Sequence, residues 1–189
     1  MKRFGCFIAA GIALVLVLVA VLVVAGSYNG LVKKSQAVDG QWAQVETQYQ
    51  RRFDLIPNLV NTAKGYLNQE LAIFGEITQA RAAYAGAQTT DEKAVAAGQM
   101  EVALAKFLVV VEDNPELKSD KVMIGLMDEL AGTENRISVE RSRYNDAVRD
   151  YNTAIKSFPT NILAGIFNFD EHEYFKSVTG ADQPPVVQF

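Results

Sequence analysis

The chain holds one cysteine, one histidine and five prolines in 189 residues, and each scarcity closes off a kind of chemistry. With Cys6 alone, neither an internal disulfide nor a cysteine-based zinc site can form. The single imidazole, in Asp170-Glu171-His172-Glu173-Tyr174, has carboxylates beside it. Adjacent helical residues point in different directions, however, so a solvated acidic turn is a simpler reading than a metal site. There is no glycine-rich nucleotide loop, no calcium loop and no nucleophile with a matching base. Acid–base catalysis would fall to carboxylates with shifted pKa values, which residue order does not reveal. The expectation is a protein without enzymatic activity, cofactor or metal.

Acidic residues are missing altogether from the first 27 positions, where Lys2 and Arg3 are the only charges. Beyond them stand 16 basic against 22 acidic side chains, net −6. A mildly acidic domain of this kind is a poor nucleic-acid binder and carries no basic stripe for anionic lipid. What fills the N-terminus instead is the uncharged run Phe4 to Ala25. As a helix it spans about 33 Å, enough for a hydrocarbon core of roughly 30 Å. A cleaved signal peptide is the competing reading, but its apolar core runs only about 7–15 residues. Residues 1–27 are therefore expected to be a single-pass anchor. Gly5, Ala9 and Ala13 form a small-residue ridge of the kind that lets two such helices approach, though small residues are common in membrane helices generally. Lys2 and Arg3 on one side and Lys33 and Lys34 on the other nearly balance. The nearer pair places the N-terminus in the cytoplasm and the domain outside it.

From Val38 the apolar residues Val38, Trp42, Val45, Tyr49, Ile56, Val60, Ala63, Leu67, Phe74, Ile77 and Tyr84 recur at steps of three and four. Arg52, Glu70 and Arg81 fill the missing positions of the stripe. This is a helical pattern. It is interrupted by Pro57, the only proline of the first 114 residues. The expectation is a kink or restart there, with Arg51 and Arg52 closing one segment and Asp54 capping the next. A second helix is expected to start near Thr90 and to stop before Pro115, and a third to run from Ser119-Asp120 toward Pro159. A short helix after Thr160 would plug one end. The predicted fold is all-α: an N-terminal transmembrane helix followed by an elongated antiparallel bundle of long helices. Residues 28–180 form the domain and residues 181–189, with Pro184-Pro185, a tail.

The stretch Arg51-Arg52-Phe53-Asp54-Leu55-Ile56-Pro57-Asn58-Leu59-Val60 also carries a resemblance. With Lys64-Gly65-Tyr66, Glu70, Ala80-Arg81, Glu112, Pro115-Glu116-Leu117-Lys118 and Thr133-Glu134-Asn135-Arg136, it resembles the LemA family of bacterial membrane-anchored helical proteins. The resemblance continues through Tyr144-Asn145, Tyr151-Asn152, Phe158-Pro159 and Tyr174-Phe175 and covers nearly the whole chain. It implies an architecture more than a mechanism. The family's association with membrane remodelling and envelope quality control implies the bacterial inner membrane as the location. It implies as partners the membrane and envelope proteins, a membrane protease among them; a second copy of the chain is the further partner that the small-residue ridge would admit.

Arg52, Glu70, Arg81 and Glu140 stand where an apolar residue is due, so some of them should lie inside the bundle with Glu112 and Glu134 as counter-ions. Paired charges together with Asn145 and Asn152 would fix helix register, the best-attested role of buried polar groups in such seams. A polar groove for a partner helix or small ligand is the alternative. Tyr144-Asn145 and Tyr151-Asn152 repeat at a heptad interval, most simply as core tyrosines whose hydroxyls find partners. The residues singled out are thus Arg51, Arg52, Asp54, Pro57, Asn58, Glu70, Arg81, Glu112, Glu134, Asn145 and Asn152. The function they suggest is a membrane-anchored scaffold or adaptor, with a ligand-sensing helical domain as the alternative.

Overall fold

A computed structural model describes residues 2–67 and 71–175. The expectations for Glu70, for the 181–189 tail and for the packing of the ridge at Gly5 and Ala9 fall outside what is described. The protein is all-α, with no strand among the described residues. The helices are α1 (Lys2–Lys64), α2 (Leu71–Gly86), α3 (Thr90–Asp113), α4 (Pro115–Lys118), α5 (Lys121–Lys156) and α6 (Thr160–Phe167). They divide into two compact units, Met1–Trp42 with Tyr144–Tyr174 and Ala43–Arg143 with Phe175–Phe189.

The apolar run and the first helix of the domain are one element, because nothing between Phe4 and Pro57 breaks a helix. Nor does Pro57. It lies inside α1, and the chain turns later, at Gly65-Tyr66. Pro57 withholds an N–H from the Phe53 carbonyl and costs about 3 kcal/mol in a helix interior. Against this, Phe53, Ile56, Leu59 and Ala63 are all buried on the two sides of it. Each large apolar side chain buried contributes roughly 1.5–3 kcal/mol, so the packed face holds the helix through the proline. Asp54 correspondingly does not cap a new helix but accepts from Gln50 Nε2, 2.8 Å away and one turn back. The actual stop is made by Tyr66 and Leu67, whose N–H groups both donate to the Ala63 carbonyl at 2.9 Å and tighten the last turn.

The other boundaries follow local chemistry. Thr89, one residue before the expected start, caps α3 in a reciprocal capping box with Glu92. Asp120 caps α5, its Oδ1 accepting from the N–H groups of Val122 at 2.8 Å and Met123 at 2.9 Å. Between them Pro115 opens the four-residue α4, too short to show a period in the sequence. In the second unit, α2 packs against α3. The buried Ala96, Ala97, Gly98 and Ala103 give α3 a face with little side chain to hold a neighbour away. Helix α3 is also long and apolar enough to cross a membrane, yet 44% of its apolar window is buried inside the fold, against 0% for the N-terminal window. It is a core helix.

The first unit has a different ending. Asn168 adopts a left-handed conformation, φ 53°, which asparagine tolerates at a helix C-terminus, and Phe169 N–H reaches back to the Ala164 carbonyl at 2.9 Å. The chain then leaves α6 as the extended segment 169–174 and lies along α5.

Candidate functional site

In the second unit, polar residues at three-residue steps on α1 reach two different helices. Glu46 pairs with Lys93 of α3, Tyr49 accepts from Arg141 of α5, and Arg52 pairs with Glu134 of α5. Steps of three keep the three side chains on one face of α1. Arg141 is the hub. Its Nε donates to the Tyr49 hydroxyl at 2.9 Å, its guanidinium pairs with Glu101 of α3, and it lies 4.6 Å from the centre of the Phe175 ring. One cation therefore ties α1, α3 and α5 together.

Beside the hub stand three aromatic rings. Tyr49 and Phe53 of α1 stack with centroids 6.0 Å apart, and Tyr84 of α2 meets Phe53 edge-on at 4.5 Å. Burial pushes the Tyr49 phenol up to about 12, the nearby Arg141 opposing it only in part. Burial likewise raises Tyr84, with the Glu46 carboxylate adding to it. Neither phenol is set up to ionise near neutral pH, so they serve as packing and as neutral hydrogen-bonding groups. The Tyr84 hydroxyl and Arg52 Nε are buried and meet no acceptor among the described residues.

The first unit holds a second constellation. The Asn152 side chain behaves as a piece of main chain: its Nδ2 donates to the His172 carbonyl at 2.9 Å and its Oδ1 accepts from the His172 N–H at 3.0 Å. Tyr151 donates to the Asp170 carbonyl at 2.9 Å and Tyr144 to the Glu173 carbonyl at 3.0 Å. The heptad-spaced Tyr and Asn residues thus hold down the extended segment, satisfying backbone groups that have no ladder to join. Lys156 closes the near end with Glu171 at 2.6 Å. His172 stacks edge-on against Tyr151 and its Nε2 is 3.4 Å from Ser35 Oγ. Among the described residues no group of three potential ligands stands ready for a metal ion.

The residues singled out in the sequence fall into distinct places. Arg52 is 6% exposed and paired with Glu134; Asn152 is buried, and Asn145 is half-buried and engaged. Pro57 is half-buried inside α1. Arg51, Asp54, Asn58, Arg81 and Glu112 lie on exposed faces, so Arg81 occupies no seam position and Glu112 is no interior counter-ion. The stripe there is continued by Ala80, one residue earlier, which is buried. Glu140 is half-buried but pairs within its own helix, with Arg143 at 2.7 Å. The interior charge at this level is Arg141, which sequence reasoning passed over. Its distance from Ile137 and Tyr144, four and three residues, was the available signal.

The LemA family model matches residues 41–189, which takes in the second unit and, of the first, its C-terminal part. The chain belongs to the LemA family. The apolar run lies before the matched region. Among curated proteins it is similar to the magnetosome proteins MamQ 1 and MamQ 2 of Paramagnetospirillum magneticum, each 27% identical over 85% of this chain and 68% of the relative. It is also similar to the magnetosome protein MamQ of Magnetospirillum gryphiswaldense, 26% identical over the same shares. None of these names is that of an enzyme. For this LemA-family chain, the matched region holds the whole hub of Arg141, Tyr49 and Glu101 and the Arg52–Glu134 pair.

Proposed function

We propose that this LemA-family protein is a non-enzymatic, single-pass scaffold or adaptor of the bacterial inner membrane. Residues 1–27 are its anchor, and residues 28–180 form an extracytoplasmic domain that presents helical surfaces to envelope proteins, a membrane protease among them. The observation that carries this reading is the fate of the interior charges: Arg52, Arg141, Glu101 and Glu134 are consumed in ties between helices. Such ties specify register, and they leave function to the exposed faces. Arg81 and the neighbouring exposed surface of α2 and α3 are the part offered to partners. A second copy of the chain is a further partner.

A ligand-sensing role is the second reading, and one observation favours it. The buried Tyr84 hydroxyl has no acceptor beside a ring cluster, an arrangement a small polar molecule would complete. A photo-reactive residue in place of Arg81, with one in place of the buried Ile137 as control, tests both readings in intact cells. Discrete protein adducts at 81 and none at 137 are expected. A thermal shift with metabolites and no adduct at 81 would overturn the scaffold in favour of the sensor. The location is tested by labelling Cys6→Ser/Asp182→Cys cells with a membrane-impermeant thiol reagent. Labelling only after lysis would put the domain in the cytoplasm.

A further inference from the structure

Thirteen residues without a charge, Ser157 to Phe169, lie between Lys156 and Asp170, and α6 occupies their middle. Only one side of that helix is used by the fold. Ala164 is buried, while Phe158 is 81% exposed, Ile166 is 64% exposed, and Ile162 and Phe167 are exposed as well. Ile162 and Ile166 are one helical turn apart within α6 and form one stripe, and Phe158 stands exposed in the turn just before the helix. A stripe of that size on a short surface helix needs a cover.

Its position says what the cover is. Phe167 meets Tyr28 edge-on, ring centres 4.9 Å apart, and Phe169 meets the same ring at 5.7 Å. Phe167 also closes an open, apolar groove of about 500 Å³ against Val17, Val21, Val24 and Tyr28 of α1. These are the last turns of the apolar run, whose polar continuation starts at Ser27 and Asn29. A helix fastened there sits at the level where the run leaves hydrocarbon for water. Tyrosine is the residue enriched at that level, and an amphipathic helix lying in it buries its apolar face in the boundary between headgroups and acyl chains.

We propose that α6 is an interfacial helix, its Ile162–Ile166–Phe167 side, with Phe158 in the turn before it, inserted in the lipid boundary beside the span, so that the first unit holds the bilayer by two elements. This rests on residues 4–25 crossing the membrane. The test uses the full chain with Cys6→Ser in phosphatidylcholine–phosphatidylglycerol nanodiscs. Single cysteines at Ile166, Val15 and Asp146 carry an environment-sensitive fluorophore, read with spin-labelled lipids bearing the nitroxide at shallow or deep acyl positions. The expected result is at least twofold quenching at 166 by the shallow label, quenching at 15 by the deep label and none at 146. A silent 166 beside a quenched 15 overturns the proposal and leaves the span standing. A silent 15 overturns the span and the proposal with it. A blue-shifted but unquenched 166 also overturns it, showing that a protein or a second copy covers the face. In the same discs, Phe158→Ser/Ile162→Ser, which touches only exposed side chains, should lower quenching at 166 by half or more. No change would count against insertion through this stripe.

Discussion

The two members of the Arg52–Glu134 pair should be unequal when removed one at a time. Arg52 is 6% exposed, whereas the Glu134 side chain is 47% exposed. Glu134→Gln leaves a guanidinium sealed in the seam, its Nε already without an acceptor. Breaking a fully buried pair in this way costs about 3–5 kcal/mol, and water on the open side of Glu134 reduces that to about 2 kcal/mol. Arg52→Met leaves instead a carboxylate that turns to solvent, with a flexible thioether in the space of the arginine stem. Its cost should stay under about 1 kcal/mol. The double variant should resemble Arg52→Met, since the carboxylate no longer has a partner to lose. Urea unfolding of the full chain in detergent, followed by far-UV circular dichroism, reads the difference. With a slope of about 2 kcal/mol per molar, the midpoint should fall by about 1 M for Glu134→Gln and by less than about 0.5 M for Arg52→Met. Equal losses, or a larger loss for Arg52→Met, would refute the reasoning. They would show that packing of the stem, and not uncompensated charge, sets the energy.

Asn152→Ala removes both bonds to the His172 main chain and should cost about 1–3 kcal/mol locally. Hydrogen exchange should show lost protection at the His172 amide, and unchanged protection would mean that Tyr151 and Tyr144 hold the segment without it. Asp120 is held below the usual carboxylate range by the Met123 N–H and then the Tyr66 hydroxyl, and Glu92 by the Gln88 and Thr89 N–H groups. A depressed folded pKa contributes stability above the unfolded value of about 4 and loses it as pH falls through the lower folded value. Asp120→Asn keeps a capping side chain without the charge, so its stability should fall less steeply than the parent's below about pH 4. Parallel acid limbs in urea titrations would contradict this. Pro57→Ala returns an N–H to the Phe53 carbonyl and should raise the urea midpoint by the equivalent of about 1–3 kcal/mol. A lower midpoint would show that the ring's own packing outweighs the missing bond.

Helix content, the order of the long elements and Arg52 as a charge inside the seam were legible in the residues, because each rests on periodicity or on a charge interrupting it; which of Glu112 and Glu134 would meet it was not. The stop of α1 was not. Pro57 carries a strong local signal for a break, but its effect is decided by how well Phe53 and Leu59 pack, a tertiary quantity. Arg81 was misplaced for a related reason. A stripe read at steps of three and four cannot tell residue 81 from 80 once α1 has ended at Lys64 and the helical phase restarts in α2. Arg141 stayed hidden because its partners, Tyr49 and Glu101, lie 92 and 40 residues away. The clasp on residues 170–173 was half visible: the Tyr-Asn repeat marked one face of α5, but nothing in it shows that the other half is bare backbone.

An α-helix advances by about 100° per residue, and α1 has no joint between Val17 and Leu31 in which to lose that phase. The groove closed by Phe167 is built from residues on one line of this helix, and Leu31 and Val38, further along it, are buried in the same unit. One extra residue between Ser27 and Leu31 would swing Val17, Val21 and Val24 a quarter-turn or more away from Phe167 and move the span outward by about 1.5 Å. Four extra residues would nearly restore the facing side while lifting it by about 6 Å. The spacing between anchor and first buried contact thus works as a vernier that fixes angle and height together. The number of residues there matters as much as their identity.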